Sequence, residues 1–336
     1  MLKRGKLNTT TVRRIVQVLF LIFILYGGIL GVTKAFGYKP LPLSAEEKQA
    51  AELNSNLQPD PRLDLYLPIR SCKNANKDLG VFKGCGMYMI TSVLMYRTFL
   101  SFALPILVLI LLIFVFGRTW CGWACPMGLF QELFDRLRSM LKINYLRLSR
   151  KTNRMLRKIR YGWLATIFLV SFAIALPVWG TMRKDLHNIN CLTCPTRYAL
   201  QFFPKVHVTY MSFETSYYII GSIILLLFIS LVILSFFVRR FWCRLCPNGA
   251  LLSLFNKGCL TNKEKDINKC TKCGICYRIC PMDNEDVYRV RDRKVVNSKN
   301  CVMCFECVSR CPEDDCLQVK VAGKTVLKSK YKAGHK

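Results

Sequence analysis

The sequence predicts an α-helical membrane protein with four transmembrane helices, followed by a small α+β domain at the carboxy terminus. Two observations lead to this fold class. Hydrophobic residues make up 52% of the 336-residue chain, and its mean hydropathy is positive, as in membrane proteins. Cysteine accounts for 18 residues, eight of which form two regularly spaced runs. We therefore expect a membrane domain over residues 1–256 and a cysteine-rich domain over residues 257–336.

The two cysteine runs share one spacing, C-x-x-C-x-x-C-x-x-x-C-P, and stand about thirty residues apart. This is the pattern of bacterial ferredoxins with two [4Fe–4S] clusters, in which the fourth cysteine of each run ligates the other run's cluster. A zinc site would need only two cysteine pairs and would leave the third cysteine and the proline unexplained. The predicted ligands are Cys270, Cys273, Cys276 and Cys311 for the first cluster, and Cys301, Cys304, Cys307 and Cys280 for the second.

Four apolar runs, at residues 15–32, 98–117, 161–180 and 216–238, predict the membrane spans. About 20 residues at ~1.5 Å per residue cross a hydrocarbon core of ~30 Å. A signal peptide fits the first run less well, because the run is long and no A-x-A-like cleavage site follows. Lys and Arg cluster where the cytoplasmic side is expected. Both termini and the ferredoxin domain are thus predicted to be cytoplasmic, with outer loops at residues 33–86 and 181–215.

Two further elements follow from periodicity. Apolar residues recur at helical spacing from Leu129 to Leu141, which predicts an amphipathic helix on the inner membrane surface. The segment from Leu317 to Leu327 alternates around Gly323 and predicts a hairpin that closes the ferredoxin domain.

An internal repeat follows the second and fourth spans. The hexapeptide FGRTWC ends at Cys121, and its counterpart VRRFWC ends at Cys243; each is followed by a second cysteine and a proline. Two equivalent helix ends could bring four thiolates to one site. We interpret them as ligands of a further iron–sulfur cluster at the inner face, and the alternatives are a zinc site or reduced structural cysteines. The four residues are Cys121, Cys125, Cys243 and Cys246.

A third set of four cysteines falls in the two outer loops. They either hold an outer cluster or form disulfides, because extracytoplasmic compartments often oxidise thiols. These residues are Cys72, Cys85, Cys191 and Cys194. Cys259 and Cys316 remain, and we expect Cys316 to be a small buried residue of the ferredoxin lobe.

Composition and motifs exclude several function classes. The formal net charge of +30 invites a nucleic-acid partner, but much of the charge flanks apolar segments and no basic-aromatic platform is present. The motifs C-x-x-C-H, G-x-G-x-x-G and G-x-x-x-x-G-K do not occur, so no haem, flavin or nucleotide site is predicted. Electrons must therefore enter and leave through protein partners or a lipid-soluble quinone.

The sequence gives only weak indications of which residues would form a quinone site. Four polar groups are expected near the outer interface, where a quinone headgroup could sit, although such groups more often have structural roles. They are His187, His207, Arg97 and Arg183.

The paired Cys-Pro motifs, the four spans and the two-cluster ferredoxin repeat resemble the NapH family over roughly residues 98–320. Its members are membrane quinol dehydrogenase subunits associated with periplasmic nitrate reductase, and MauN-type proteins are similar. The resemblance implies electron transfer between the quinone pool and other redox subunits of a membrane complex. This chain departs from the family in the shorter Cys243 motif, in the long first outer loop and in the pair Cys191 and Cys194.

Two other hypotheses belong to different classes. The chain is also similar to the FixG/CcoG membrane ferredoxins, which help mature copper oxidases and usually carry an extra carboxy-terminal domain. It would then be an assembly or metal-reduction factor. Alternatively, it is a non-catalytic anchor that docks a soluble oxidoreductase.

Overall fold

The computed structural model describes residues 9–26, 86–96, 103–174, 176, 194–196 and 215–330. The chain divides into two compact units. The first unit comprises Met1–Leu19, Leu112–Lys158 and Ser235–Lys336, and the second comprises Phe20–Leu111 and Ile159–Leu234.

Five helices supply the apolar segments of the part of the chain that the structure describes. They bury residues such as Leu109 and Ile167, yet they also carry apolar side chains on their outer faces, where Leu169 is 69% and Leu226 is 67% exposed. No helix in the ranges given above is both long enough and apolar enough to cross a membrane. The helices are α1 (Thr9–Tyr26), α2 (Gly86–Tyr96), α3 (Ala103–Phe116), α6 (Arg150–Ile174) and α7 (Thr215–Phe237).

The internal repeat folds twice into the same pair of helices. A short helix carries the first cysteine, and a second helix starts at the proline that follows the second cysteine. Cys125 and Cys246 both have ψ 121°, an extended conformation that suits the residue before proline, and proline itself suits the first helical position. The pairs are α4 (Thr119–Trp123) with α5 (Pro126–Met140), and α8 (Phe241–Leu245) with α9 (Pro247–Phe255).

Helix α5 is amphipathic, as its periodicity predicts, but its apolar stripe faces outward. Leu133, Leu137 and Met140 are exposed, whereas Gln131 and Arg138 are buried within the first unit. The buried face of α5 therefore includes polar side chains, and their contacts are described below.

The ferredoxin domain contains a three-stranded antiparallel sheet in the order β1-β2-β3. The predicted hairpin is present, and it turns at Gly323, whose φ of 82° favours glycine. Sequence periodicity did not predict β1, which consists of polar residues and pairs Lys263 with Val319. The strands are β1 (Thr261–Lys265), β2 (Leu317–Val321) and β3 (Lys324–Lys328), and the short helices are α10 (Ile275–Arg278), α11 (Asp286–Arg289) and α12 (Glu306–Ser309).

Candidate iron–sulfur sites

The first cavity of the ferredoxin domain lies among the cysteines of the first predicted ligand set. It has a volume of about 370 Å³, counting its open mouth. Three cysteines of the first run and the last cysteine of the second run line it, and Cys273 is exposed to solvent. Cys316 is a fifth lining cysteine and is buried, as expected from the sequence.

The second cavity has a similar size, about 380 Å³, and lies among the cysteines of the second predicted set. Cys280 of the first run lines it together with Cys301, Cys304 and Cys307, and Cys276 borders it as well. The fourth cysteine of each run therefore lines the cavity of the other run.

The backbone around each run explains how consecutive cysteines turn into one cavity. Left-handed residues flank the second cysteine of both runs: Lys272 and Gly274 in the first, Met303 and Phe305 in the second, with φ between 53° and 74°. A non-glycine residue in this region is strained, and such strain persists where surrounding structure demands it. The two loops thus adopt one conformation, as their shared spacing implies.

The donor set fits an iron–sulfur cluster. Within the described ranges, no three His, Cys, Asp or Glu side chains lie close enough to chelate one metal ion. A [4Fe–4S] cluster is held by four thiolates, one at each iron, so its cysteines surround a cavity.

Buried cations provide a second test of fit, because a buried charge requires a counter-charge. Lys263 is 1% exposed, and its Nζ lies 3.4 Å from Cys301 Sγ. No carboxylate pairs with this ammonium among the described residues. The backbone N–H groups of Met303 and Asn284 donate to Cys301 and Cys280 sulfurs at 3.4 Å. The second cavity is therefore arranged around negatively charged sulfur.

Burial raises the pKa of four of these thiols, those of Cys276, Cys280, Cys304 and Cys307. It raises the pKa of Cys276 to about 11 and that of Cys280 to about 12. The pKa of Cys311 shifts in the opposite direction, because the hydrogen bond from the Cys316 thiol lowers it to about 7. Iron must displace protons from the thiols whose pKa is raised.

The four cysteines of the internal repeat also come together, at a third site in the first unit. Burial raises the pKa of Cys125 to about 12, and the neighbouring thiols of Cys121, Cys243 and Cys246 add to this effect. The Gln131 side chain donates to Cys243 Sγ at 3.4 Å, and the Gly249 N–H donates to Cys246 Sγ at 3.3 Å. We call these four residues the inner quartet.

Reciprocal arginine contacts join the two halves of the inner quartet. Arg118, three residues before Cys121, donates to the Cys243 carbonyl at 3.3 Å. Arg240, three residues before Cys243, donates to the Cys121 carbonyl at 3.2 Å. The repeat in sequence is therefore a pseudo-twofold arrangement in space.

Glycines make room for these arginines. A Cβ at Gly249 would lie 3.2 Å from the Arg118 guanidinium, and one at Gly128 would lie 3.0 Å from the Cys121 carbonyl oxygen. Arg118 is 0% exposed, its guanidinium donates to the carbonyls of Lys299 and Cys243, and no carboxylate among the described residues pairs with it, whereas Arg240 also pairs with Glu132. The uncompensated charge of Arg118 suits a site that gathers thiolates.

The inner quartet lies against the second ferredoxin cavity. Cys243 and Cys121 belong to one buried cluster with Cys304 and Cys280. A Cβ at Gly122 would lie 2.5 Å from the Val302 carbonyl oxygen, so this close contact requires glycine. The Trp123 indole N–H donates to the Met303 carbonyl at 3.0 Å.

Other predicted site residues cannot be placed together. Cys194 is half-buried. The remaining outer cysteines and quinone candidates lie outside the described residues: Cys72, Cys85, Cys191, His187, His207, Arg97 and Arg183.

Sequence reasoning missed three features of these sites. It did not identify Lys263, or Cys316 as a cavity residue, and it gave no role to Arg118 and Arg240 of the repeated hexapeptides. Their recurrence three residues before each cysteine pair was the available signal for the arginines.

Family models match the same regions of the chain. A 4Fe-4S binding domain matches twice, at residues 98–144 and 220–266, and a 4Fe-4S dicluster domain matches residues 262–312. The two matches of one model fall on the two halves of the internal repeat.

Several known proteins are similar in sequence to about half of this chain or more. An uncharacterised protein of Methanocaldococcus jannaschii is 29% identical over 62% of this chain and 75% of its own length. The ferredoxin-type protein NapH of Escherichia coli is 27% identical over 59% of this chain and 60% of its own length. The methylamine utilization ferredoxin-type protein MauN of Methylobacillus flagellatus is 27% identical over 49% and 48%, respectively. No solved structure matches the chain significantly.

Proposed function

The chain is a NapH/MauN-like ferredoxin-type iron–sulfur protein, and from this premise we propose that it carries electrons at a membrane. In this proposal, electrons pass between the ferredoxin domain and the inner quartet, and from there to the quinone pool or an extracytoplasmic partner. A bound [4Fe–4S] group supplies one-electron redox chemistry, and the protein holds it and tunes it.

One observation carries the proposal: Cys121 and Cys243 of the inner quartet pack in the same buried cluster as Cys280 and Cys304 of the second cavity. Electrons could then pass among three neighbouring cysteine sites without leaving the first unit. The hydrogen bonds and cations at these sulfurs are the groups that set cluster potentials.

Exposed apolar side chains support membrane attachment. Helix α5 presents Leu133, Leu137 and Met140 to its surroundings, and α6 and α7 do the same with Leu169 and Leu226. We expect such exposed apolar side chains where a helix contacts a membrane or another protein. The quinone and the partner subunits enter the proposal through the NapH-like and MauN-like relatives.

Iron and acid-labile sulfide per chain, measured on anaerobically purified protein, test the proposal. We expect about twelve irons, four for each of three clusters. Replacing Cys243 and Cys246 with Ser should remove about four irons and abolish reduction of a soluble quinone analogue. The control is Cys259→Ser, which alters a buried thiol that lines neither cavity and is not part of the inner quartet.

The other outcomes discriminate among functions. About eight irons would restrict redox chemistry to the ferredoxin domain and favour a docking or assembly role. About sixteen would add a centre at the outer cysteines. Full iron content and full quinone reduction in the Cys243→Ser/Cys246→Ser variant would overturn the proposal.

A further inference from the structure

A large basic cavity lies in the first unit beside the second cysteine cavity, with which it shares Pro281 and Glu306 as lining residues. Its volume is about 600 Å³ without its open mouth, within the range of ligand pockets, and about 1410 Å³ on the measure used for the two cysteine cavities. Helix α1, helix α5, the segment after α5 and the ferredoxin domain all contribute to its walls. Eight of its lining residues are Arg or Lys, and three are Asp or Glu.

The three carboxylates are already paired. Glu132 accepts from Arg13 at 2.9 Å and also contacts Arg240. Asp135 pairs with Arg239 at 3.0 Å, and Glu306 pairs with Arg13 at 3.1 Å. The arginines of the walls therefore neutralise these carboxylates, and the ion pairs hold the walls in place.

Four cations at the cavity form no ion pair with any described residue. Arg278 donates to a backbone carbonyl, which leaves Arg14, Arg136 and Lys142, and the last two are exposed. An excess of positive charge at an opening attracts anionic partners and accelerates their association.

The same cavity borders both cysteine runs. Ile279 and Pro281, which flank Cys280, form part of its wall. Arg278 donates to the Cys273 carbonyl at 3.2 Å, and Arg13 donates to the Cys304 carbonyl at 3.3 Å. A molecule bound in this cavity would contact the residues on either side of Cys280, which is a predicted cluster ligand.

We propose that this cavity is the docking site of an acidic electron-carrier protein. The inference rests on the proposed function, because it needs redox groups in the ferredoxin domain. An acidic protrusion of the carrier pairs with Arg14, Arg136 and Lys142, and one electron passes between the carrier and the second cavity through the wall at Cys280. The position of the cavity beside Cys280 favours a redox protein as its ligand. A lipid headgroup exchanges no electron, so contact with this wall would serve no purpose for it.

The test measures electron transfer from a reduced, acidic bacterial ferredoxin to the full-length, cluster-loaded protein in detergent by stopped-flow absorbance. The variant Arg136→Glu/Lys142→Glu should lower the second-order rate about tenfold at low salt and flatten its salt dependence. The control is Arg293→Glu/Lys324→Glu, which changes the net charge equally at exposed positions outside the cavity and should change the rate less than about twofold.

Equal losses in both variants, or a rate independent of salt, would overturn the docking site. So would an unchanged rate accompanied by weaker binding to vesicles of anionic phospholipid, because the cavity would then be a lipid site. Failure of the proposed function is distinguishable, since it would appear as missing iron or as clusters that dithionite cannot reduce.

A different observation carries a second inference about strand β1. Lys263 and Lys265 are two residues apart, so they point to the same face of the strand, and they are 1% and 2% exposed. Lys263 lines the second cavity, and Lys265 lines the first. The Lys265 ammonium donates to the carbonyls of Val287, Tyr288 and Val290 at 2.9–3.3 Å.

Neither lysine has a carboxylate partner among the described residues, so each provides an uncompensated positive charge to one cavity. We infer that Lys263 and Lys265 separately raise the reduction potentials of the groups held in the second and the first cavity. A nearby cation favours the more negative, reduced state. This inference also rests on the proposed function.

Redox titration followed by EPR on the full-length protein tests the assignment. Lys263→Met and Lys263→Gln should both lower the potential of one cluster, and Lys265→Met should lower that of the other. Because Gln retains an N–H donor, agreement between Met and Gln assigns the effect to charge. The control is Lys320→Met, whose partly exposed ammonium pairs with Glu264.

Two results would overturn this second inference. One is that the lysine variants leave both cluster reduction potentials unchanged, or shift both by the same amount. The other is loss of iron from both Lys263 variants with full iron in the control, because Lys263 would then be needed for cluster retention. Absence of iron from the unaltered protein would instead refute the proposed function.

Discussion

At the scale of single residues, Gly122 determines how closely the inner quartet approaches the ferredoxin domain. It lies between Cys121 and Trp123, and its own carbonyl accepts from the Gln17 side chain at 2.9 Å. The facing atoms belong to the backbone at Val302 and Cys304. Backbone cannot rotate away as a side chain can, so an added methyl group must separate the two segments.

We predict that Gly122→Ala destabilises the protein by about 1–3 kcal/mol, as overpacking does. Guanidinium unfolding of the purified protein, followed by cluster absorbance, measures the loss. Gly258→Ala is the matched control, because a Cβ there would meet no atom within 4 Å. Equal stability of the two variants would contradict the close contact.

At the scale of elements, Glu132 holds several segments together from the buried side of α5. It pairs with Arg13 of α1 and with Arg240, which precedes α8, and Arg13 continues to Glu306 of α12. Burial alone would raise the pKa of Glu132, but Arg240 and Arg13 outweigh it and hold this pKa below its usual value. Breaking such a pair leaves buried arginine charge uncompensated.

We predict that Glu132→Gln costs about 3–5 kcal/mol at neutral pH. Because the folded-state pKa is lowered, ionised Glu132 contributes full stability above about pH 4.5, and this contribution is lost as pH falls through the folded-state pKa. The stability difference between variant and unaltered protein, measured by guanidinium unfolding, should therefore shrink toward acidic pH.

Glu264→Gln provides the control for this prediction. Its pair with Lys320 is partly exposed on both sides, so its loss should cost less than about 1 kcal/mol. A Glu132→Gln penalty as small as that of the control, or one that does not depend on pH, would contradict the buried network.

At the scale of the whole molecule, the three cysteine sites of the first unit lie next to one another. Cys273 gives the first cavity an exposed sulfur, the second cavity shares the cysteine runs with it, and the inner quartet packs against Cys280 and Cys304. The iron count proposed above tests this arrangement directly, because it distinguishes two sites from three. The basic cavity would then supply the entrance for a soluble partner.

Much of this organisation could be predicted from local sequence. The hairpin around Gly323 followed from alternation, and the two-part repeat followed from matching hexapeptides. Strand β1 could not be predicted, because its Lys and Glu residues lack a strand's usual apolar alternation. Only the cavities behind it explain why Lys263 and Lys265 are buried.

The sequence by itself determined which cysteines belong to which run, because ligand spacing is a local property that cluster chemistry restricts. It also determined that two halves of the chain are equivalent. Tertiary structure alone decided that Arg118 and Arg240 cross between those halves, that Gly122 meets Val302, and that the quartet adjoins the second cavity. These contacts join residues that are far apart in the sequence, and their geometry depends on packing that no local pattern encodes.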